Sequence, residues 1–124
     1  MKIYDATDPM AILWELFKDL GIPVYKNIND VSDDDNICVV IRSDVTNNAG
    51  VYGDGHVLTR RSACDVNLLA RTKSPHADSD FAVNCKKISD ILDAEEINYS
   101  KYDLGYNDSL KASEYNWSMT INYG

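Results

Sequence analysis

The stretch Tyr115-Asn116-Trp117-Ser118-Met119-Thr120-Ile121-Asn122-Tyr123 alternates without interruption between large apolar or aromatic residues and small uncharged polar residues. Because successive side chains of a β-strand point to opposite faces, this alternation predicts a strand with one apolar and one polar face. At ~3.3 Å per residue, such a strand is about 30 Å long. A solvated strand face usually carries Lys and Glu, which discourage pairing with other chains. The small, uncharged polar face therefore indicates a face or edge that another molecule covers.

A first helix is predicted over residues 10–20, where apolar side chains recur at helical spacing and form one stripe. Asp8 suits the N-cap and Pro9 suits the first helical position. Gly21 lies where a C-terminal cap belongs, and Pro23 prevents the helix from continuing.

Apolar and alternating runs predict the remaining strands, at residues 23–26, 37–42, 57–71 and 97–102 with Tyr106. A second amphipathic helix, capped by Asp78 or Ser79, is predicted to end near residue 93. Three glycines predict a long, flexible loop over residues 43–56, and residues 103–105 predict a turn.

The predicted elements follow the order α-β-β-β-α-β-β, and most strands are joined by loops rather than by crossover helices. This order predicts an α+β fold, in which about five mostly antiparallel strands form a sheet and both amphipathic helices pack against it. The chain has 124 residues and no internal change in composition, so a single domain over residues 1–124 is predicted.

The composition narrows the classes of function. A net charge of −8 argues against a protein that grips phosphates across a broad surface, because such binding needs clusters of Lys and Arg. The apolar runs are too short to span a membrane and the N-terminus lacks a secretory apolar region, which predicts a cytoplasmic location. Cys38, Cys64 and Cys85 form an odd set in apolar surroundings and are predicted to be reduced core residues.

No motif in the sequence indicates a catalytic, cofactor-binding or metal site. His76 and Cys85 are candidates for a base and a nucleophile, but Cys85 lies on the apolar stripe of the second helix, where a thiol packs rather than reacts. The histidines and cysteines do not follow zinc spacing, and residues 33–35 lack the pattern of an EF-hand loop. The sequence therefore favours a protein without cofactor, metal or enzymatic activity.

Charged residues are segregated along the chain. Residues 27–54 hold six acids and one base, whereas residues 56–76 hold four bases and one acid. A chain with oppositely charged segments can pair with a copy of itself. Tyrosine favours interfaces, and Tyr102 and Tyr106 are interface candidates, whereas Tyr115 and Tyr123 are predicted to lie on the core side of their strand.

Taken together, these segments resemble the tail terminator, or tail-completion, proteins of long-tailed bacteriophages, which are also described as head-to-tail joining proteins. The resemblance spans nearly the whole chain and contains no catalytic motif. It consists of the first helix, the turn Gly-Ile-Pro-Val-Tyr at residues 21–25, the apolar strand at 37–41, a glycine-containing loop leading to Asp-Val-Asn-Leu at 65–68, and Trp-Ser-Met-Thr-Ile at 117–121.

The resemblance implies a structural protein that forms a six-fold ring, caps the tail tube and docks it to the head connector, while DNA passes through the ring without sequence-specific binding. It also implies assembly in the bacterial cytoplasm and a final place at the head–tail junction of the virion. A ring needs two complementary patches on each subunit. We predict that one patch is acidic (Asp30, Asp33, Asp34 and Asp35) and faces a basic patch on the next subunit (Arg60 and Arg61). We predict further contacts with the tail tube in the loop, at Asn47, Asn48, Gly50, Tyr52 and Asp54.

Three other functions remain open at this point. The nearest is another neck component, a head-completion or stopper protein, which would bind the connector rather than the tube. A host interaction module would use the terminal strand to pair with a partner strand. An enzyme would need a convergent polar pocket around His76 or Cys85.

Overall fold

A computed structural model describes residues 3–44, 49–53 and 56–124, and within these residues seven strands form one sheet that carries two α-helices. The strands are β1 (Ile3–Tyr4), β2 (Val24–Tyr25), β3 (Ile37–Ser43), β4 (Ala49–Gly53), β5 (His56–Ala70), β6 (Tyr99–Asn107) and β7 (Ala112–Tyr123). The helices are α1 (Pro9–Phe17) and α2 (Ser79–Ala94), and single 3₁₀ turns lie at Ile28–Asp30 and Pro75–Ala77.

Strand β5 lies at the centre of the sheet. Along one edge it pairs with β7, from Arg60 opposite Tyr123 to Ala70 opposite Ser113. Along its other edge it pairs first with β4 and then with β3. The far edge of β7 carries β6 and β1, and the far edge of β3 carries β2.

The predicted α+β class and the mostly antiparallel sheet are confirmed. Four of the six pairings in the described residues are antiparallel, whereas β1 with β7 and β2 with β3 are parallel. Strands β1 and β4 were not predicted from the sequence. Strand β1 has only two residues, so no periodicity marks it.

The apolar row of the terminal strand faces the main core, as predicted. Trp117, Met119, Ile121 and Tyr123 are buried, together with the matching apolar face of β5 and the stripes of both helices. Tyr115 is partly buried against the same cluster. Both helices therefore cover one face of the sheet, which we call the helix face, and the opposite face is the back face.

Both helix starts follow the predicted caps. The carboxylate of Asp8 accepts a hydrogen bond from the Met10 amide at 3.0 Å, and Asp78 accepts from the amides of Asp80 and Phe81. The predicted end of the first helix is wrong by three residues, because α1 stops at Phe17. Gly21 still allows the chain to change direction after the helix, because it adopts a positive φ of +96°, which a glycine reaches without strain.

The loop predicted over residues 43–56 is wrong at every described residue except Asp44. Ser43 ends β3, His56 begins β5, and residues 49–53 form β4, which pairs with β5 from Ala49 opposite Arg61 to Gly53 opposite His56. Hydrogen bonding to a long neighbouring strand overrides the weak strand preference of glycine here.

The turn predicted at residues 103–105 is also wrong. Strand β6 continues through these residues with a β-bulge, at which the pairing shifts between Asp103 and Gly105. The chain reverses later, between β6 and β7, where Lys111 has a positive φ of +53°. A bulge adds one residue to one strand of a pair and bends it, which a local sequence pattern does not distinguish from a turn.

Within the described residues, neither helix has the length and apolar character needed to cross a bilayer.

Candidate interaction surface

The back face of the sheet is polar at its centre and is tied together by side chains of the chain itself. The Asn116 amide donates hydrogen bonds to Oδ1 of Asp65 at 3.2 Å and to Oδ1 of Asn67 at 2.5 Å. The Arg42 guanidinium lies 3.4 Å from the Asp65 carboxylate. Strand β7 is not an edge, since β5 and β6 flank it. The alternating polar residues of β7 therefore lie on the back face of the sheet rather than along an open strand edge.

Residues 26–36 fold over one end of the back face. A small apolar cluster there contains Cys38, Val40, Leu69 and Ala112, with Tyr25, Val31 and Leu110 packed against it. Burial raises the pKa of Cys38 to about 11, so its thiol is a packing group at neutral pH.

Arg71 holds this covering segment in place. Its guanidinium donates hydrogen bonds to the carbonyl oxygens of Asp35 at 2.7 Å, Ser32 at 3.1 Å and Leu110 at 3.1 Å. The hydroxyl of Tyr25 also donates to the Asp35 carboxylate. In the sequence Arg71 is only one of several bases, because its partners are backbone carbonyls that no motif marks.

The acidic patch predicted from sequence lies in this segment. Asp30, Asp33 and Asp34 are exposed and Asp35 is partly buried. Asp33 lies 3.7 Å from the Arg71 guanidinium, but its side chain is fully exposed, so this ion pair is weak. The patch therefore presents carboxylates to solvent from a segment that Arg71 fixes to the sheet.

The basic patch, Arg60 and Arg61, lies toward the other end of β5, and both residues are exposed. As neighbours on one strand they lie on opposite faces of the sheet, Arg60 opposite Tyr123 on the helix face and Arg61 opposite Asn122 on the back face. Neither has an acidic partner at ion-pair distance within the described part of the chain. Arg61 lines an open groove of about 610 Å³, whose wall also contains Ser118, Thr120 and Asn122. The groove lies at a gap in the strand pairing along the outer edge of β7. Strand β6 pairs with β7 only as far as Met119, and β1 pairs with β7 only from Asn122, so the edge between these two residues has no partner strand among the described residues.

The acidic and basic patches lie at opposite ends of the sheet. Arg61 and Ala70 are nine residues apart on β5, which is about 30 Å at ~3.3 Å per residue. The acidic patch lies beyond Ala70, since Arg71 contacts it. The two patches therefore cannot pair within one molecule, and any contact between them joins two copies.

The interface candidates on β6 are accessible. Tyr102 is 52% exposed and Tyr106 is 36% exposed, and Leu104 at the bulge between them is 56% exposed. The Lys73 ammonium lies 5.2 Å from the centre of the Tyr106 ring. Leu104 was not among the predicted interface residues, because the sequence predicts a turn at this position.

The candidates for contact with a tail tube lie only partly within the described residues. Gly50 and Tyr52 belong to β4, which continues the hairpin with β5 beyond the end of β7 at Tyr123. Asn47, Asn48 and Asp54 lie outside the described residues. Strand β4 pairs with β5 and, in the described part of the chain, with no other strand.

His76 and Cys85 line the same shallow depression of about 440 Å³, together with Ser89 and Lys101. His76 Nε2 lies 3.3 Å from the Asp103 carboxylate, a partner supplied by β6 that the sequence did not suggest. Burial raises the pKa of the Cys85 thiol, which is opposite to the shift that activates a nucleophile. The depression therefore brings polar groups together without the electrostatics of an activated cysteine.

In the part of the chain that the structure describes, no three His, Cys, Asp or Glu side chains lie close enough together to bind a metal ion.

No protein-family model and no curated protein matches this chain. The charge distribution and the open edges of the sheet are therefore the main guides to function.

Proposed function

We propose that this chain is a non-enzymatic structural protein of a bacteriophage or prophage tail: a tail terminator that forms a ring, caps the tail tube and joins it to the head connector. The main support is the separation of the acidic and basic patches by about 30 Å along β5 at ~3.3 Å per residue. Patches at opposite ends of one subunit satisfy each other only between neighbouring copies. The resemblance to tail terminators in the sequence supplies the biological context.

Two different, complementary patches produce a head-to-tail contact, and such a contact closes into a ring when the rotation between subunits allows it. The carboxylates of Asp30, Asp33 and Asp34 would then face Arg60 and Arg61 of the next subunit. All five side chains are exposed, so forming the contact requires no rearrangement of the core. A net charge of −8 suits a ring through which DNA passes, because like charge repels phosphate.

The hairpin of β4 and the start of β5 is the proposed contact with the tail tube. Residues 56–59 pair with β4, whereas the pairing of β5 with β7 begins only at Arg60. A two-stranded hairpin alone is marginally stable in water, so a partner that covers it would stabilise it. Gly50 and Tyr52 lie on this hairpin.

The test of ring assembly is charge reversal at the basic patch. The variant R60E/R61E would be mixed with phage tail tubes polymerised from a purified tail tube protein, and tube ends would be counted by negative-stain electron microscopy. We expect capped ends with the wild type, and few or none with R60E/R61E. Adding D33K and D34K to that variant reverses both patches and should restore capping. Higher salt should weaken capping by the wild type.

The control is Lys87→Glu, which reverses one charge at an exposed site on α2 and so makes half of the charge change in R60E/R61E. Urea unfolding of each variant checks that the fold is intact. Capping that is unaffected by R60E/R61E would refute the proposed subunit contact. Binding to the head connector in place of the tube would assign the chain to the stopper class instead.

A further inference from the structure

The outer edge of β6 is the longest strand edge that no other strand covers in the described residues. Strand β6 pairs with β7 along one side only. From Ser100 to Tyr106 every residue is exposed, including the large side chains of Tyr102 and Leu104. An open edge of this length presents backbone donors and acceptors to another strand.

Two charged residues of β6 lie on the helix face of the sheet, two positions apart. Lys101 is opposite Trp117 and Asp103 is opposite Tyr115, and both of these β7 residues belong to or contact the main core. The Lys101 ammonium lies 5.2 Å from the Tyr115 ring centre and 5.7 Å from that of Trp117. Neither Lys101 nor Asp103 forms an ion pair with a Lys, Arg, Asp or Glu side chain among the described residues, although His76 lies 3.3 Å from Asp103.

We propose that β6 pairs antiparallel with β6 of a second copy, about a two-fold axis at Tyr102. In an antiparallel pair with the axis perpendicular to the sheet, opposite residues must lie on the same face, so each permitted register is centred on a single residue. Centring on Tyr102 places Lys101 of each copy opposite Asp103 of the other. The two Tyr102 side chains then meet at the axis on the back face.

The two neighbouring registers are disfavoured by charge. Centring the pair on Lys101 places two ammonium groups opposite each other, and centring it on Asp103 does the same for two carboxylates. Like charges directly opposite each other destabilise a strand pair, whereas opposite charges and aromatic pairs stabilise it. The register at Tyr102 turns both charges of the edge into cross-strand ion pairs.

The bulge at Leu104 limits this contact to a short stretch. Residues 99–103 pair with β7 in regular register, and the register shifts between Asp103 and Gly105. A lysine and a bulge on an edge strand discourage open-ended pairing with unrelated strands. Because the contact is the same patch on both copies, it closes on itself and yields a discrete dimer rather than a fibre.

This dimer does not depend on the proposed tail function, and its contact uses a different part of the sheet from the acidic and basic patches. A short edge contact of this kind belongs to the weak, concentration-dependent class of interfaces. The measurement is sedimentation equilibrium of the full chain across a concentration series reaching about 1 mM, where weak dimers form. We expect reversible association to twice the monomer mass.

Charge reversal tests the register. Lys101→Glu and Asp103→Lys should each raise the dimer dissociation constant about tenfold or more, because each creates two like-charge pairs. The double variant K101E/D103K restores both ion pairs in this register and should return dissociation to within about threefold of the wild type. Lys87→Glu, the matched exposed control, should leave it unchanged.

Crosslinking provides a second measurement that does not depend on charge. A cysteine at position 102 would lie opposite its own copy at ~4.5–5.5 Å between Cα atoms, within disulfide range. We expect Y102C to form a linked dimer on mild oxidation and Y106C to form little. A wild type that stays monomeric to about 1 mM, a folded double variant that fails to recover, or equal linkage at position 106 would each overturn the proposal.

Discussion

Trp117 on β7 donates a hydrogen bond from its indole Nε1 to the hydroxyl oxygen of Ser89 on α2 at 3.0 Å. The Trp117 side chain is fully buried, and the centre of its ring lies 5.6 Å from the centre of the Tyr115 ring. The largest side chain of the terminal strand therefore has a polar atom whose hydrogen-bond partner, among the described residues, lies on α2. This bond aligns the second helix with the sheet.

Ser89→Ala removes the acceptor for the buried indole N–H. We expect it to lower the free energy of unfolding by about 1–3 kcal/mol, because a buried donor without a partner carries its full desolvation penalty. Urea unfolding followed by tryptophan fluorescence measures the loss. The same change in a Trp117→Phe background should be nearly neutral, since the donor is gone. Ser100→Ala, at an exposed position on β6, is the control, and an equal loss there would contradict the assignment.

Arg71→Ala should release the segment that carries the acidic patch. Three carbonyl oxygens lose their guanidinium donor, so we expect a loss of about 2–4 kcal/mol in unfolding free energy and faster amide exchange over residues 31–36. Arg71→Lys keeps the positive charge but not the planar guanidinium with its several N–H donors, so it should recover only part of the stability that Arg71→Ala loses. Full recovery with Lys would show that charge, rather than hydrogen-bond geometry, holds the segment. Lys73→Ala is the nearby control.

Gly21→Ala should destabilise the protein through the backbone alone. The φ of +96° disfavours any side chain, yet a Cβ at this position would meet no atom within 4 Å. We expect a loss of about 1–2 kcal/mol, and a smaller loss for Gly21→Asn, because Asn tolerates positive φ better than Ala does. Thermal and urea unfolding measure both variants. Equal losses for Ala and Asn would contradict a backbone origin.

Cys64 should make stability depend on pH in the alkaline range. Burial raises the pKa of its thiol from 9.0 to about 11. Above about pH 9 the unfolded chain loses a proton that the folded chain keeps, so the free energy of unfolding falls as pH rises toward 11 and is unaffected by this group below pH 9. We expect Cys64→Ala to remove about 1–3 kcal/mol of that fall. Urea unfolding at several pH values compares the two proteins, and parallel curves would contradict the shift.

Much of the local structure is predictable because it depends on neighbouring residues. The cap at Asp8 followed by Pro9 begins α1, and Asp78 begins α2. The alternation in residues 115–123 identifies which side of β7 is buried. Tyr102 and Tyr106, the interface candidates, are exposed because β6 is an uncovered edge strand, a feature that the sheet decides.

Other features depend on segments that are distant in sequence. Strand β4 forms because β5 supplies its hydrogen bonds, and the alternation within a segment does not say which strand will pair with it. The bulge at Leu104 depends on the register between β6 and β7. Arg71 is a structural residue because the fold brings Ser32, Asp35 and Leu110 to its guanidinium.

The amino-acid sequence by itself determined the two helices, the main strands, the buried face of the terminal strand and the segregation of charge along the chain. Only the tertiary structure decided that the acidic and basic patches lie at opposite ends of β5, and that Lys101 and Asp103 lie on an open edge. Side-chain periodicity is a local property, set by which face of a segment is buried. Distances between charges and the identity of edge strands are set by hydrogen-bonded pairing across the sheet, which joins residues far apart in the chain.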